Sequence, residues 1–203
     1  MYVTFRSFKA HPGKLQDAIG VASWVCQTIN DKAGADLAVS IAVGGDPDSM
    51  NVTGQWETLG AYEAIRAELS SDPELASAMR LASDLVISEG DAIAQVMRPP
   101  GERSTYVGFN RSQVQLARVA DAVPFVLEVA EAATEITGNE VGVVRAFTGA
   151  MNTVMWFSFH DSLQALAENQ AKLDADASFL DFYKRSEEIM VPNVLESGIR
   201  QYV

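Results

Sequence analysis

The chain has 203 residues, of which 48% are apolar and 21% charged, with 14 Gly and 7 Pro. This composition supplies enough apolar surface for a packed core and excludes a disordered or low-complexity chain. The 15 basic and 27 acidic side chains give a net charge of -12. Because that field repels a phosphate backbone, nucleic acid is not an expected partner.

Cysteine and histidine are too few for a disulfide framework or a recognisable zinc site. The chain has one cysteine, Cys26, and two histidines, His11 and His160, without CxxC or HxxxH spacing, so we expect no metal. A basic N-terminus followed by AIGVASWVC is similar to a secretory signal, but that stretch has an internal copy around residues 122–133. No apolar run reaches the roughly 18 to 20 residues that span a bilayer. We therefore expect a cytoplasmic protein with no membrane partner.

In chain order, the first hundred residues predict a strand, a helix, a hairpin, two further helices and a last strand. The evidence is the switch of apolar spacing between two residues, typical of strands, and three to four residues, typical of helices. Gly34 and the turn GGDPDSMN punctuate the pattern. The predicted segments are the strand 2–8, the helix 15–34, the hairpin strands 37–43 and 52–57, a short helix capped by Thr58, a helix that begins at Asp72-Pro73 and buries Val86, and the strand 92–97.

The same pattern occurs twice. YVTF at 2–5 returns as YVGF at 106–109, an offset of 104, and residues 2–45 match residues 106–149 at 10 of 44 positions without a gap. Random pairing would give roughly three matches. The repeat predicts two half-domains, 1–99 and 104–203, with their joint at 100–103 inside the segment RPPGERS.

Two features of the second half depart from strict repetition. Its hairpin loop is predicted to be three residues shorter, so the offset falls to 101 in the third strand. That alignment places Trp56 opposite Phe157 and directs Trp156 to the other side of its sheet, between the halves. Pro124 falls within a helix predicted from about 112 to 137, and because proline removes a backbone donor, we expect a kink or a restart there.

A βαββαβ half covers one face of its sheet with helices and leaves the other face apolar, which costs about 25 cal/mol for each Å² left in water. Two halves can cover each other. The predicted fold is therefore α+β, with two tandem ferredoxin-like βαββαβ repeats whose antiparallel sheets pack face to face as an intramolecular α/β barrel. This arrangement resembles the dimeric α/β-barrel superfamily. The resemblance implies a range of activities that includes cofactor-free monooxygenases, haem-degrading monooxygenases, chlorite dismutases, polyketide cyclases and members with no assigned chemistry.

The resemblance also implies where a ligand lies, in the cleft between the sheet and its helices. The first-strand residue that points into this cleft is Arg6 in the first half and Asn110 in the second. Haem-degrading members combine such an asparagine with a tryptophan and a histidine on the helices. Here Leu166 and either Phe182 or Tyr183 occupy those positions, so we expect no haem and no other cofactor.

His160, in the segment FSFHDSLQ, is the candidate catalytic base. An imidazole with a pKa of about 6.5 can deprotonate a phenol or enol to a carbanion that reacts directly with oxygen. Asn110 would donate a hydrogen bond to the developing oxyanion. The alternative is a surface histidine beside Asp161, which we expect to cap the next helix together with Gln164.

Four further residues are candidate ligand contacts. Trp56 and Trp156 are predicted either as the walls of an aromatic pocket or as core residues. Arg6 and Arg145 lie on strands where apolar residues are expected. A half-buried charge needs a carboxylate to offset its desolvation, and that carboxylate belongs either to a ligand or to an internal salt bridge.

Three functions fit these observations. The first is a cofactor-independent monooxygenase-like or cyclase-like enzyme that acts on a small aromatic or polyketide-like compound. The second is a non-catalytic protein that binds an apolar carboxylate, and the third is an assembly module whose clefts are filled by phenylalanine side chains. The expected partner is a small apolar or aromatic molecule, and the sequence leaves homo-oligomerisation open.

Overall fold

The computed structural model describes the backbone of all 203 residues and every side chain except those of Glu68 and Leu69. Contacts divide the chain into a first unit, Met1–Ala94 with Gln201–Val203, and a second unit, Gln95–Arg200. The half-domain boundaries at 1–99 and 104–203 stay a prediction. Among the described residues, no helix is both long enough and apolar enough to cross a membrane.

The elements of the first unit follow the predicted order. They are β1 (Tyr2–Ala10), α1 (Leu15–Ala33), β2 (Asp36–Ala42), β3 (Ser49–Trp56), α2 (Leu59–Ser70), α3 (Pro73–Ser83) and most of β4 (Val86–Arg98). Gly34 ends α1 at φ 59°, and the Asp72 side chain caps α3, both as predicted. Val86 begins a strand instead of extending α3, because β-branched residues favour a sheet over a helix terminus.

The second unit repeats this order. Its elements are β5 (Tyr106–Gln113), a 3-10 turn (Leu116–Arg118), α4 (Val119–Thr137), β6 (Gly142–Ala146), β7 (Thr153–His160), α5 (Leu163–Ala175), α6 (Ala177–Ser186) and most of β8 (Glu196–Tyr202). The predicted restart at Pro124 is wrong, since α4 is one helix that contains it. Because α4 starts at Val119, Pro124 lies near its N-terminus and interrupts few hydrogen bonds.

The cap of α5 also differs from the prediction. The Ser162 hydroxyl accepts a hydrogen bond from the Ala165 amide at 3.1 Å, while the Asp161 carboxylate accepts one from the Ser104 hydroxyl. Ser162 immediately precedes the helix, so its hydroxyl reaches the third helical amide. Asp161 is therefore not the cap.

The eight strands form a closed barrel in the order β1-β3-β2-β8-β5-β7-β6-β4, and this confirms the predicted fold class. Arg6 pairs with Val52 in β1–β3, and Asn110 pairs with Trp156 in β5–β7. The offset is thus 104 in the third strand as well. The predicted offset of 101 is wrong, because both hairpin loops have the same length, and the true counterpart of Trp56 is His160.

Each sheet has one side that faces the helices of its own unit. In the first unit, Ala18 and Cys26 of α1 are buried with Val39 and Met50 of the sheet. In the second unit, the core contains Ala122, Phe125, Val126 and Ala130 of α4 and Val114, Val143 and Val154 of the sheet. We call this the helix-facing side. Trp156 packs against the second core and donates a hydrogen bond from Nε1 to the Val126 carbonyl at 2.8 Å, so its predicted placement on the opposite side is wrong.

Replacing Gly142 or Gly20 with alanine is expected to change the free energy of unfolding in opposite directions. A Cβ on Gly142 would lie 2.9 Å from the Phe157 ring and 2.9 Å from the Pro100 backbone nitrogen, whereas a Cβ on Gly20 in α1 meets nothing within 4 Å. Gly142→Ala should therefore lower the free energy of unfolding by about 1–3 kcal/mol. Gly20→Ala should raise it by about 0.5–1 kcal/mol. Urea denaturation of both variants measures the difference, and equal midpoints would contradict the close approach at Gly142.

Candidate functional site

His160, at the end of β7, is a buried polar residue, 7% exposed, on the helix-facing side. Its counterpart Trp56 is a core residue that donates from Nε1 to the Thr4 hydroxyl at 3.0 Å and packs on Tyr62 with ring centroids 5.2 Å apart. By the offset of 104, Thr4 corresponds to Gly108 and Tyr62 to Leu166. The second unit thus replaces a packed tryptophan site with a smaller, titratable group.

Both ring nitrogens of His160 have polar neighbours. Nε2 lies 2.9 Å from the Ser158 hydroxyl, and Nδ1 lies 3.4 Å from Nδ2 of Asn139. Asn139 follows the C-terminus of α4, and its Nδ2 also donates to the Phe159 carbonyl at 3.0 Å. These contacts join Ser158, His160 and Asn139 in one hydrogen-bonded chain, which we call the Ser158–His160–Asn139 chain.

The orientation of the Asn139 amide determines the tautomer of His160. Because the bond to the Phe159 carbonyl requires an amide N–H, the nitrogen of Asn139 faces Nδ1, and Nδ1 must supply a lone pair. The neutral imidazole then carries its proton on Nε2 and donates it to the Ser158 hydroxyl. The Ser158 hydroxyl can then donate its own proton to another acceptor. The Ser158–His160–Asn139 chain therefore ends in a hydroxyl donor. Direct proton abstraction by Nε2, the predicted role of His160, requires the other tautomer.

Burial lowers the pKa of His160, and the carboxylate of Asp161 opposes this effect. The unfolded chain, with a histidine pKa of about 6.5, takes up a proton that the folded chain resists. Stability from this group is therefore fully present above about pH 6.5 and is lost as the pH falls toward the lower folded-state pKa.

We expect the wild type to lose more stability between pH 7.5 and pH 5 than His160→Gln, which has no proton to take up there. Urea midpoints at the two pH values measure this, with His11→Gln as the control for loss of a histidine. Identical pH slopes for the wild type and His160→Gln would contradict a neutral, buried imidazole.

Gly108 and Leu166 determine the space beside the Ser158–His160–Asn139 chain. Gly108 pairs with Ser158 across β5 and β7. A Cβ on Gly108 would lie 3.0 Å from Cδ1 of Leu166 and 4.0 Å from Nε2 of His160. Leu166 is a half-buried side chain on α5, so it limits the space beside Gly108 and His160.

Asn110 shares the helix-facing side with His160 but lies farther along the sheet. His160 pairs with Tyr106, and Asn110 pairs with Trp156, a separation of four residues or roughly 13 Å along the strand. Asn110 is exposed, and its Oδ1 accepts a hydrogen bond from the Ser197 hydroxyl at 2.5 Å. The structure therefore does not bring the two predicted catalytic residues into contact.

In the first unit, Arg6 forms the internal salt bridge that the sequence offered as one alternative. Its Nε and Nη2 donate to Asp91 at 2.9 and 2.7 Å. Hydrogen bonding to Asp91 raises the pKa of Arg6, against the opposing effect of burial. Trp56, 6% exposed, is a core residue, and the roles of Arg6 and Trp56 as ligand contacts stay a prediction.

Arg145 lies far from His160 within the second unit. It pairs with Val154, six residues from His160 along β7, or roughly 20 Å. Its Nη2 donates to Oε1 of Gln95 at 3.2 Å. Trp156 lies between Arg145 and His160 and uses its Nε1 inside the core. Arg145 and His160 are therefore too far apart to contact one small molecule.

Ser158 and Asn139 are the residues that the sequence analysis missed. An ungapped offset of 104 through β7 aligns Ser158 with Gly54 and His160 with Trp56, and this alignment was the available signal. Asn139 had none, because a loop asparagine after a helix is typical of a C-terminal turn.

No family model matches this chain, and no curated protein matches its sequence. Solved structures do match over nearly its whole length. A candidate monooxygenase from Fusobacterium nucleatum is 9% identical with a TM-score of 0.71, covering 99% of this chain and 91% of that one. A candidate monooxygenase from Lactobacillus acidophilus is 5% identical with a TM-score of 0.70, covering 99% and 93%.

A third structure, an anthrone oxidase-like protein, is 14% identical with a TM-score of 0.66 and covers 100% of this chain and 91% of that one. The chain has the dimeric α/β-barrel fold. At these identities the likeness extends to the fold alone. Any chemistry depends on the residues of this protein.

Proposed function

We propose that this chain is a monooxygenase-like enzyme that needs no cofactor and acts on a small aromatic or polyketide-like compound with an acidic C–H or hydroxyl group. The observation that carries the proposal is the Ser158–His160–Asn139 chain, a buried polar group where the first unit has a packed tryptophan. The names of the fold neighbours, candidate monooxygenases and an anthrone oxidase-like protein, support the same reaction class.

The proposed role of the Ser158–His160–Asn139 chain is to stabilise the substrate as its anion. The Ser158 hydroxyl donates to the enolate or phenolate oxygen, and the Nε2–H of His160 supports Ser158 as a donor. A fixed donor in a dry site stabilises a developing oxyanion more strongly than water does. Asn139 keeps the imidazole in the required tautomer and is thus a positioning residue.

The oxidation balances without an external reductant. An activated methylene reacts with O₂ to give a carbonyl and water, since one oxygen atom enters the product and the other leaves as water with both hydrogens. The two C–H bonds supply the four electrons that O₂ accepts. The substrate gives up one proton to solvent water to form the anion that reacts with O₂, and that proton is recovered in the water product. The task of the protein is to stabilise this anion.

The test uses anthrone as the probe. We expect the protein to consume one O₂ for each quinone formed, at a rate that saturates with anthrone and exceeds the buffer rate. An oxygen electrode and quinone absorbance measure both quantities, with heat-unfolded protein as the control. A rate equal to that of the control would overturn the proposal for this substrate class.

The alternative is a non-catalytic binding or assembly module, and aromatic packing in the second unit favours it. Phe157 and Phe159 meet edge to face at 5.9 Å, and Phe182 contacts Phe125 at 6.0 Å and Phe179 at 5.8 Å. Native mass spectrometry of protein purified without additives separates the two functions. A retained organic molecule together with oxygen consumption supports the enzyme, a retained molecule without oxygen consumption supports the binding module, and a clean apo mass with no oxygen consumption supports the assembly module.

The proposed location and partners of the protein follow from its charge and composition. We propose a cytoplasmic protein whose partner is a small apolar or aromatic molecule and whose acidic surface does not bind nucleic acid.

A further inference from the structure

We infer that the second unit contains a binding site for the carboxylate of a small apolar acid, centred on Arg145 and separate from the Ser158–His160–Asn139 chain. Arg145 lies on the helix-facing side of β6, half-buried, beside a cavity under the first turns of α4. All residues that line the cavity belong to the second unit. They are Met97, Val114, Val119, Ala122, Val123, Val126, Arg145, Met151, Asn152 and Val154.

Arg145 has no carboxylate among its contacts in the part of the chain whose side chains are described. Four of the other nine arginines have carboxylate partners: Arg6 with Asp91, Arg111 with Glu196, Arg118 with Asp121, and Arg185 with Glu128. In the part of the chain whose side chains are described, Arg145 contacts a neutral amide, Gln95, at 3.2 Å. A half-buried guanidinium without an anion carries a desolvation cost that a ligand carboxylate would offset. Its planar fork of donors matches that group.

The cavity beside Arg145 is lined mostly by apolar side chains. Arg145 is the charged residue in its lining, and Val114, Val126 and Val154 are buried core residues. A carboxylate bound here would have its charge on Arg145 and its apolar part against aliphatic side chains. This combination selects an amphiphilic acid over a phosphate or a sugar, which would leave polar groups unpaired against valine.

The rim of the cavity contains exposed apolar side chains. The cavity holds about 20 Å³, roughly one water molecule, so the body of a ligand must displace part of the rim. Met151 and Val119 form that rim at 71% and 38% exposure. Met151 lies in the loop between β6 and β7 after Gly149 at φ 77°, and an unbranched methionine adapts readily to a new neighbour. The rim can therefore open without disturbing the core.

Hexanoate is the probe for this site, and hexanamide is its uncharged counterpart. We expect hexanoate to shift the backbone amide NMR signals of residues 119–126 and 145–154 in a saturable way. Arg145→Met should weaken its binding about tenfold or more, since hydrogen bonds to a charged group are worth about 1.5–3 kcal/mol. Arg111→Met removes the same charge from an exposed ion pair, so it should bind hexanoate like the wild type.

Several outcomes would overturn the site. Hexanamide binding as tightly as hexanoate, equal affinity in Arg145→Met, or no shift at millimolar hexanoate would each do so. If Arg145→Met fails to fold, Arg145→Lys keeps the charge and should retain weaker binding, while the hexanamide comparison needs no variant. Because no step uses Ser158 or His160, Ser158→Ala should bind hexanoate normally, and its failure to do so would also contradict a separate site.

Discussion

Replacing Ser158 with alanine is expected to lower kcat for anthrone oxidation by about 10²- to 10³-fold, the usual cost of removing one oxyanion donor. The hydroxyl lies 2.9 Å from Nε2 of His160, and in the proposed mechanism it is the protein atom that contacts the substrate oxygen. Oxygen consumption at saturating anthrone measures the loss. Ser186→Ala is the matched control, because it removes a serine hydroxyl that donates to the Tyr183 carbonyl of its own helix.

The same assay separates the two roles open to His160. If Ser158→Ala keeps full activity while His160→Gln loses it, His160 is the direct base that the sequence predicts. If both variants lose activity, His160 acts through Ser158. Asn139→Asp supplies an acceptor to Nδ1 and should move the imidazole proton from Nε2 to Nδ1, which ¹⁵N NMR of the ring nitrogens detects. A loss of activity together with this tautomer change assigns Asn139 a positioning role that a purely structural residue would not have.

Replacing Phe125 with alanine is expected to lower the free energy of unfolding by about 3–5 kcal/mol. Phe125 is 3% exposed in α4, its ring meets Phe182 at 6.0 Å, and the guanidinium of Arg185 lies 5.3 Å from its centroid. The substitution removes a buried aromatic volume together with both ring contacts. Because a domain is stable by about 5–15 kcal/mol, much of this stability would be lost.

Urea denaturation measures this change against Leu116→Ala. Leu116 is a large apolar residue at 78% exposure, so its truncation should alter stability by less than about 0.5 kcal/mol. A Phe125→Ala midpoint as close to the wild type as that of Leu116→Ala would show that the α4 core repacks around the missing ring.

The amino-acid sequence alone determined the order and type of the elements. Apolar spacing is a local property, so the strand at Tyr2, the α1 helix with its Gly34 terminus and the Asp72-Pro73 start of α3 could all be predicted from neighbouring residues. The internal repeat extended this to the whole chain, and the need to cover an apolar sheet face predicted the closed barrel.

Only the tertiary structure decided which side chains meet. The register between β5 and β7 is a long-range property, and one wrong loop length reversed the predicted side of Trp156, because successive strand residues face opposite ways. The partner of Arg6 is Asp91, 85 residues away, and Asn139 reaches His160 from the end of a different element. Such contacts depend on where the backbone returns in space, which local spacing does not encode. The carboxylate beside Arg6, the amide beside Arg145 and the tautomer of His160 therefore follow from the fold.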